Sequence, residues 1–344
     1  MIALTERQRN ILFCVVELYN ATGEAVGSAA VSRQPSIGVS SATVRNVMAE
    51  LEEAELLVQP HTSAGRLPTA AGMRLFVNFL MQTGRIRESG PDFQALHRLE
   101  ESDVDAIVRS AGLVVSRLSS LTSIVSSPRV NQVGLREIQL TFLSERRVLV
   151  LLISEDGRVF NRVVRVEEPL RPDDVARMQS FLSELVVGKS LKEVRRRVKE
   201  QLRAAETQYR LGIRQALRIG QEALEEAARA ELFVEGALQL LEFAEFSQNI
   251  ERVRGLLRHL EDRERVLQVL DSLCDQREVQ TLIGPELGNE WGADLSLIAC
   301  GYSQDGRQAG LVGVLGPIRM DYARIIPLVE EAARVLSKEL DDLA

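Results

Sequence analysis

The sequence predicts a multidomain α+β protein: an N-terminal winged helix-turn-helix, then an α+β domain interrupted by a mostly helical insertion. Three observations carry this. Amphipathic helical patterns near the N-terminus are separated by turn residues and followed by two short extended runs around a glycine. Two Asp-Gly hairpin signals, Asp156-Gly157 and Asp305-Gly306, each sit between apolar runs. Between the hairpins, the charged stretch from Pro172 to about Leu273 keeps apolar residues at three- and four-residue spacing. A chain of 344 residues, 45% of them apolar, predicts two or three domains with substantial cores.

In order along the chain, residues 5–22 predict a first helix: Thr5 and Gln8 have capping-box spacing, Ile11, Leu12, Val15, Val16 and Leu18 form the stripe, and Gly23 stops it. A short helix around Ser28 to Arg33 meets the turn residues Gln34-Pro35-Ser36-Ile37-Gly38. A third helix starts after the N-cap Ser40 and is expected to run to about Leu57. Its residues Val44, Val47, Met48 and Leu51 share one face, while Ala42, Asn46, Ala49 and Glu53 share the other, flanked by Thr43 and Arg45. Extended pieces on either side of Thr62-Ser63-Ala64-Gly65 predict a wing, with Gly65 permitting its tight turn, and a helix over roughly residues 70–83 closes the module. Gly84 to Pro91 reads as a linker.

Beyond it, a helix is expected from Asp103 to Val125, then the strands VLVLLIS and VFNRVVRV. ELFVEG is a candidate strand within the helical block, and LSLIACGYS, GLVGVLG and a helix from Tyr322 to Leu343 complete the chain. The expected domains are therefore residues 1–85, an α+β domain in two segments (92–165 and 276–344), and an insertion at 166–275.

Composition narrows the function classes. Cys14, Cys274 and Cys300 are too dispersed for a disulfide framework or a CxxC metal pair, and read as core residues; His61, His97 and His259 are equally scattered. No cofactor or metal site is expected. No apolar run approaches the ~20 residues of a membrane span, and the N-terminus lacks a secretory pattern, so a cytoplasmic protein is expected. The net charge of −7 argues against wholesale coating of nucleic acid. Residues 1–85 hold seven arginines, no lysine and seven glutamates, so only the position of those cations can mark a DNA reader.

The runs VSSATVRNVMAELEEAELLVQPHTSAGRLPT and AAGMRLFVNF resemble the winged helix of the HrcA family of repressors, and LVGVLGPIRMDYARIIPLVEEAARVL resembles that family's closing segment. The resemblance spans nearly the whole chain. It implies a winged-helix reader, a GAF-like α+β domain and a dimerising insertion. It further implies a homodimer on double-stranded DNA at an inverted-repeat operator of chaperone genes, release on heat stress, and the GroE chaperonin as partner. Where the family often has proline after the capping serine, this chain has Ser41.

A helix in the major groove meets base edges with its early residues. Ser40, Ser41, Ala42, Thr43, Arg45 and Asn46 are the candidate DNA contacts of helix three; Arg45 suits guanine, Asn46 adenine, and a methyl from Ala42 or Thr43 thymine. His61, Thr62, Ser63 and Arg66 are the wing candidates for phosphate or minor-groove contact.

Blander readings stand beside these. Without the wing, helix three is simply a solvated helix, and the charged helices between Lys189 and Arg265 fit solvated faces as well as a dimer seam. Gly188-Lys189-Ser190 echoes a phosphate-binding loop, but Ser183 replaces its first glycine and no strand precedes it; the segment around Ser63 lacks the context of a nucleophile elbow. No enzyme is expected. The alternative is a ligand-sensing winged-helix regulator using its GAF-like domain.

Overall fold

The computed structural model describes residues 4–61, 64–83, 91–98, 101, 103–128, 134–155, 157–205, 211–227, 231–247, 250–271, 273, 278–288 and 290–343. The chain forms two compact units, one running up to Ser126 and resuming over Leu232–Leu343, the other comprising Ser127–Glu231.

The first unit opens with α1 (Glu6–Thr22), α2 (Ser28–Ser32), α3 (Ser41–Glu53), β1 (Leu57–Val58), β2 (Leu67–Pro68) and α4 (Ala70–Thr83). Thr5 and Gln8 form the expected capping box, and Gly23 stops α1 in a left-handed conformation (φ 72°). α3 ends about a turn earlier than its pattern predicts. Glu55 adopts φ 59° and its carbonyl accepts the Thr69 hydroxyl at 2.7 Å, which turns Leu56 and Leu57 into the core as the wing's first strand. Next come α5 (Val104–Ser119) and β3 (Thr122–Ser126). Here the expected helix to Val125 is corrected: Ser120 is left-handed (φ 54°), and the β-branched residues after it enter a sheet.

The second unit contains β4 (Gly134–Ser144), β5 (Arg147–Ser154), β6 (Val159–Arg165), α6 (Pro172–Val186), β7 (Lys189–Ser190), α7 (Leu191–Ala205) and α8 (Leu211–Ala227), with antiparallel sheet order β6-β5-β4-β7. Leu135, Ile138, Val148, Val150, Leu152 and Val164 on one sheet face share a core with Val175, Met178, Leu182, Val194, Val198, Leu217 and Leu224 of the helices. The central hairpin is thus covered by its own helices and does not pair with the C-terminal strands. The inserted unit is Ser127–Glu231, displaced from the expected 166–275, and its ends are fastened by Ser127 N–H to the Glu231 carbonyl (2.8 Å) and Glu231 N–H to Ser127 Oγ (2.9 Å). Asp156 of the expected turn lies outside the described residues.

The chain then returns with β8 (Leu232–Glu235), the strand suspected in ELFVEG, followed by α9 (Ala244–Ser247), α10 (Ile250–Glu261), α11 (Arg263–Asp271), β9 (Gln280–Ile283), β10 (Leu295–Gln304), β11 (Arg307–Pro317) and α12 (Tyr322–Leu343). The antiparallel sheet order is β8-β3-β11-β10-β9. Alternate residues serve opposite faces. Leu297, Ala299, Leu311 and Leu315 cluster with Leu256, Leu260, Val266 and Leu270 of α10 and α11, whereas Ile298, Cys300, Val312 and Val314 cluster with α5 and α12. α10 and α11, expected in the insertion, therefore cover this sheet in a three-layer core. Cys14 and Cys300 are buried, as read from the sequence, while Cys274 lies outside the described residues. Among the described residues, no helix is long and apolar enough to cross a membrane.

Candidate nucleic-acid interface

The reader is built from α1 outward. Ile11, Leu12, Val15 and Val16 of α1 pack with Val31 of α2 and with Val44, Val47, Met48 and Leu51 of α3, all buried. Once those four α3 side chains are inside, the 3.6-residue period turns Ala42, Arg45 and Asn46 outward, and all three are exposed. Neither the Arg45 nor the Asn46 side chain has a hydrogen-bond or ion-pair partner among the described residues. Thr43 is half-buried.

The serines serve the helix itself. Ser40 Oγ accepts the Thr43 N–H at 3.2 Å and lies 3.0 Å from Thr43 Oγ1, while Ser41 Oγ meets Ser28 Oγ at 3.0 Å across the turn from α2. At the other end, Gln8 donates to Glu50 at 2.9 Å.

The wing is a two-stranded ribbon with Leu57 opposite Pro68 and Val58 opposite Leu67. His61 is exposed, and its carbonyl accepts the Ala64 N–H at 2.9 Å; Thr62 and Ser63 lie outside the described residues. Two placements depart from expectation. Gly65 does not occupy the left-handed region; a Cβ there would come within 2.4 Å of the Val26 carbonyl, so its requirement is close backbone approach. Arg66 is not a free cation: its side chain is 18% exposed and pairs with Glu52 of α3 at 2.8 Å, and its N–H and C=O both bond Val26 at 2.9 Å.

Packing thus sorts the module's arginines. Arg9 stacks 5.5 Å over Phe79, Arg66 braces the wing, and Arg74 turns inward to Thr281 and Glu286, leaving Arg7, Arg33 and Arg45 exposed among the described residues. Arg33, which the sequence reading did not single out, caps α2 through Nε to the Ala29 carbonyl at 2.9 Å. Its position immediately before the Gln34-Pro35 turn was the available signal.

The phosphate-loop echo also resolves: Lys189 Nζ donates to the Glu184 and Leu185 carbonyls at 3.0 and 3.1 Å, satisfying the last turn of α6.

Comparison with known proteins agrees with this geometry. The family model described as "Winged helix-turn-helix transcription repressor, HrcA DNA-binding" matches residues 3–78, and "HrcA protein C terminal domain" matches residues 105–326. The chain is 36% identical over 343 residues to the heat-inducible transcription repressor HrcA of Geobacter sulfurreducens, covering 99% of both chains. It is 34% identical over 342 residues to that of Sorangium cellulosum, covering 97% of both. The fold is similar to the crystal structure of a hypothetical protein, with TM-score 0.67, 22% identity, and coverage of 99% of this chain and 100% of that one. Two family matches flanking a short gap, relatives aligned almost end to end, and an outward-facing α3 beside a braced wing lead to one conclusion: this chain belongs to the HrcA family of heat-inducible transcription repressors, a family of DNA-binding regulators and not of enzymes.

Proposed function

We propose that this protein represses chaperone genes in the cytoplasm by binding an inverted-repeat operator as a homodimer, with α3 of each copy in the major groove. One observation carries the reading: α3 exposes Ala42, Arg45 and Asn46 on the face opposite its buried stripe. Arg45 pairs with a guanine edge, Asn46 with adenine, and the methyl of Ala42 or Thr43 meets thymine. Ser40 and Ser41 hold the start of the helix against the backbone, and Arg33, His61, Thr62 and Ser63 supply phosphate or minor-groove contacts. Arg66 acts through Glu52 by fixing the wing.

Among the described residues, three exposed arginines give one module little phosphate affinity, so two linked modules are needed. The second copy pairs through the outer face of the insertion's sheet. Leu149, Leu151 and Ile153 run down its central strand between Val159 (57% exposed) and Val163 (49%) on β6 and Glu137, Gln139 and Thr141 on β4. Glu137 lies at one end of this stripe and Arg147 and Arg165 at the other. A two-fold antiparallel pairing therefore sets each copy's arginines over the other's glutamate. Warming, or loss of the GroE chaperonin, lowers the population of competent dimer and frees the operator. The three-layer core is GAF-like and acts as scaffold.

The test is a footprint on the host's chaperonin promoter, with variants. Arg45→Ala relaxes discrimination at one position per half-site by about 1–3 kcal/mol, whereas Arg33→Ala weakens all sequences alike and lowers the salt slope by about one. Leu151→Glu yields monomers in sedimentation. Equal wild-type affinity for a scrambled duplex would overturn the DNA reading, and a dimeric Leu151→Glu would overturn the pairing.

A further inference from the structure

We infer that Arg74 is a positioning residue that locks the winged helix onto the three-layer core, and that freeing the reader from the core widens the range of separations the two reader helices sample. This rests on the reading of the protein as a dimeric operator binder. A reader joined to its core only by the segment after α4 would sample many separations.

Three contacts oppose that freedom. Arg74, on α4, uses its whole fork: Nη1 donates to Thr281 Oγ1 at 2.5 Å, Nη2 to the Thr281 carbonyl at 2.7 Å and to Glu286 Oε2, and Nε to Glu286 Oε1 at 3.0 Å. Glu286 is itself held, because its Oε2 accepts the Ile283 N–H at 2.8 Å. At the end of α1, Asn20 Nδ2 donates to the Met320 carbonyl at 3.2 Å. A Cβ at Gly23 would sit 3.0 Å from the guanidinium carbon of Arg319, which pairs with Glu245 and lies 5.2 Å over Phe243. Beneath these contacts, Met73, Phe76 and Leu80 of α4 share one buried cluster with Tyr322, Ile325 and Val329 of α12.

Polar groups with fixed geometry permit one docked orientation where apolar contact alone would tolerate sliding. The consequence is specificity for spacing. Each added base pair moves the second half-site along the duplex and rotates it by roughly a tenth of a turn, which a docked pair of readers cannot follow.

The experiment measures binding of full-length wild type, Arg74→Lys, Arg74→Ala and Thr281→Val to duplexes whose half-site spacer is shortened or lengthened by one or two base pairs. A single half-site and an optical check of folding through Trp291 serve as controls. Wild type loses about tenfold or more per base pair of displacement, whereas Arg74→Ala flattens to within about threefold while its single half-site affinity stays unchanged. Arg74→Lys, which keeps the charge but not the fork, behaves like alanine; Thr281→Val, which keeps the shape and loses the hydroxyl acceptor, falls between. In the DNA-free dimer, spin labels on Asn46→Cys give a narrow distance distribution that broadens on adding Arg74→Ala. A flat wild-type spacing profile, or a sharp profile with unchanged label distances in folded Arg74→Ala and Thr281→Val, overturns the inference. Wild type that binds none of the duplexes overturns the functional reading instead.

Discussion

Replacing Gly65 by alanine should loosen the wing without altering the exposed face of α3. The new Cβ would lie 2.4 Å from both the carbonyl carbon and oxygen of Val26 and 2.8 Å from the Ala25 carbonyl oxygen. These are backbone atoms, so the two bridged segments must separate. Separation breaks the reciprocal Val26–Arg66 hydrogen bonds, both 2.9 Å, beside a Val26 that is 4% exposed. At ~0.5–1.5 kcal/mol net per bond, the local cost is about 1–3 kcal/mol. Amide exchange in peptides covering Val26 and Arg66 should therefore accelerate by roughly five- to 150-fold. Mass spectrometry of hydrogen exchange reads this directly. Trp291 packs in the α10–α11 cluster, 5.7 Å from the His259 ring, and its unchanged fluorescence checks that the core stays folded. Gly255→Ala supplies the opposite sign: it lies within α10 with nothing within 4 Å of its Cβ, so alanine there should stabilise by about 0.5–1 kcal/mol. Exchange in Gly65→Ala within about twofold of wild type would refute the close-approach argument.

Two further outcomes follow from α3 and α12. Ser40→Ala removes the α3 cap and should cost about 1 kcal/mol with weaker operator binding; Ser40→Asp should restore stability but not affinity, because its charge opposes the phosphates. Melting curves and gel shifts separate the two. Burial alone would raise the Glu331 carboxyl, yet hydrogen bonding and charge from Arg334, with His97 Nε2 at 2.7 Å, hold it below its ordinary value of 4.5. A lowered carboxylate contributes stability above its unfolded value and loses that contribution as pH falls through the lowered one. Urea midpoints followed through Trp291 should therefore fall in wild type between about pH 6 and about pH 3, and Glu331→Gln should be weaker at the upper end with a shallower fall. A variant keeping the wild-type slope would remove Glu331 from this role.

What could be read before folding was local. Ser40 and Thr5 mark helix starts because a cap acts over three residues, the two faces of α3 follow from its 3.6-residue period, and Asp305 and Gly306 turn a hairpin at φ 53° and 71° because those residue types tolerate that conformation. β4 carries no legible strand pattern because an irregular register between Leu135 and Glu137 breaks its two-residue alternation, and β3 reads as a continuation of the preceding helix because five apolar and hydroxylated residues have no period of their own.

The sequence by itself determined where α1 and α3 begin and which residues form their buried stripes, and hence that α3 offers Ala42, Arg45 and Asn46 on one side. Only the tertiary structure decided which sheet the central hairpin joined, that Arg66 would turn to Glu52, and that Arg74 would reach Thr281 and Glu286, 207 and 212 residues away. Caps and periods are enforced by neighbours a few residues apart, but an arginine's charge carries no address: its partner is whichever carboxylate or carbonyl the packed core brings within reach.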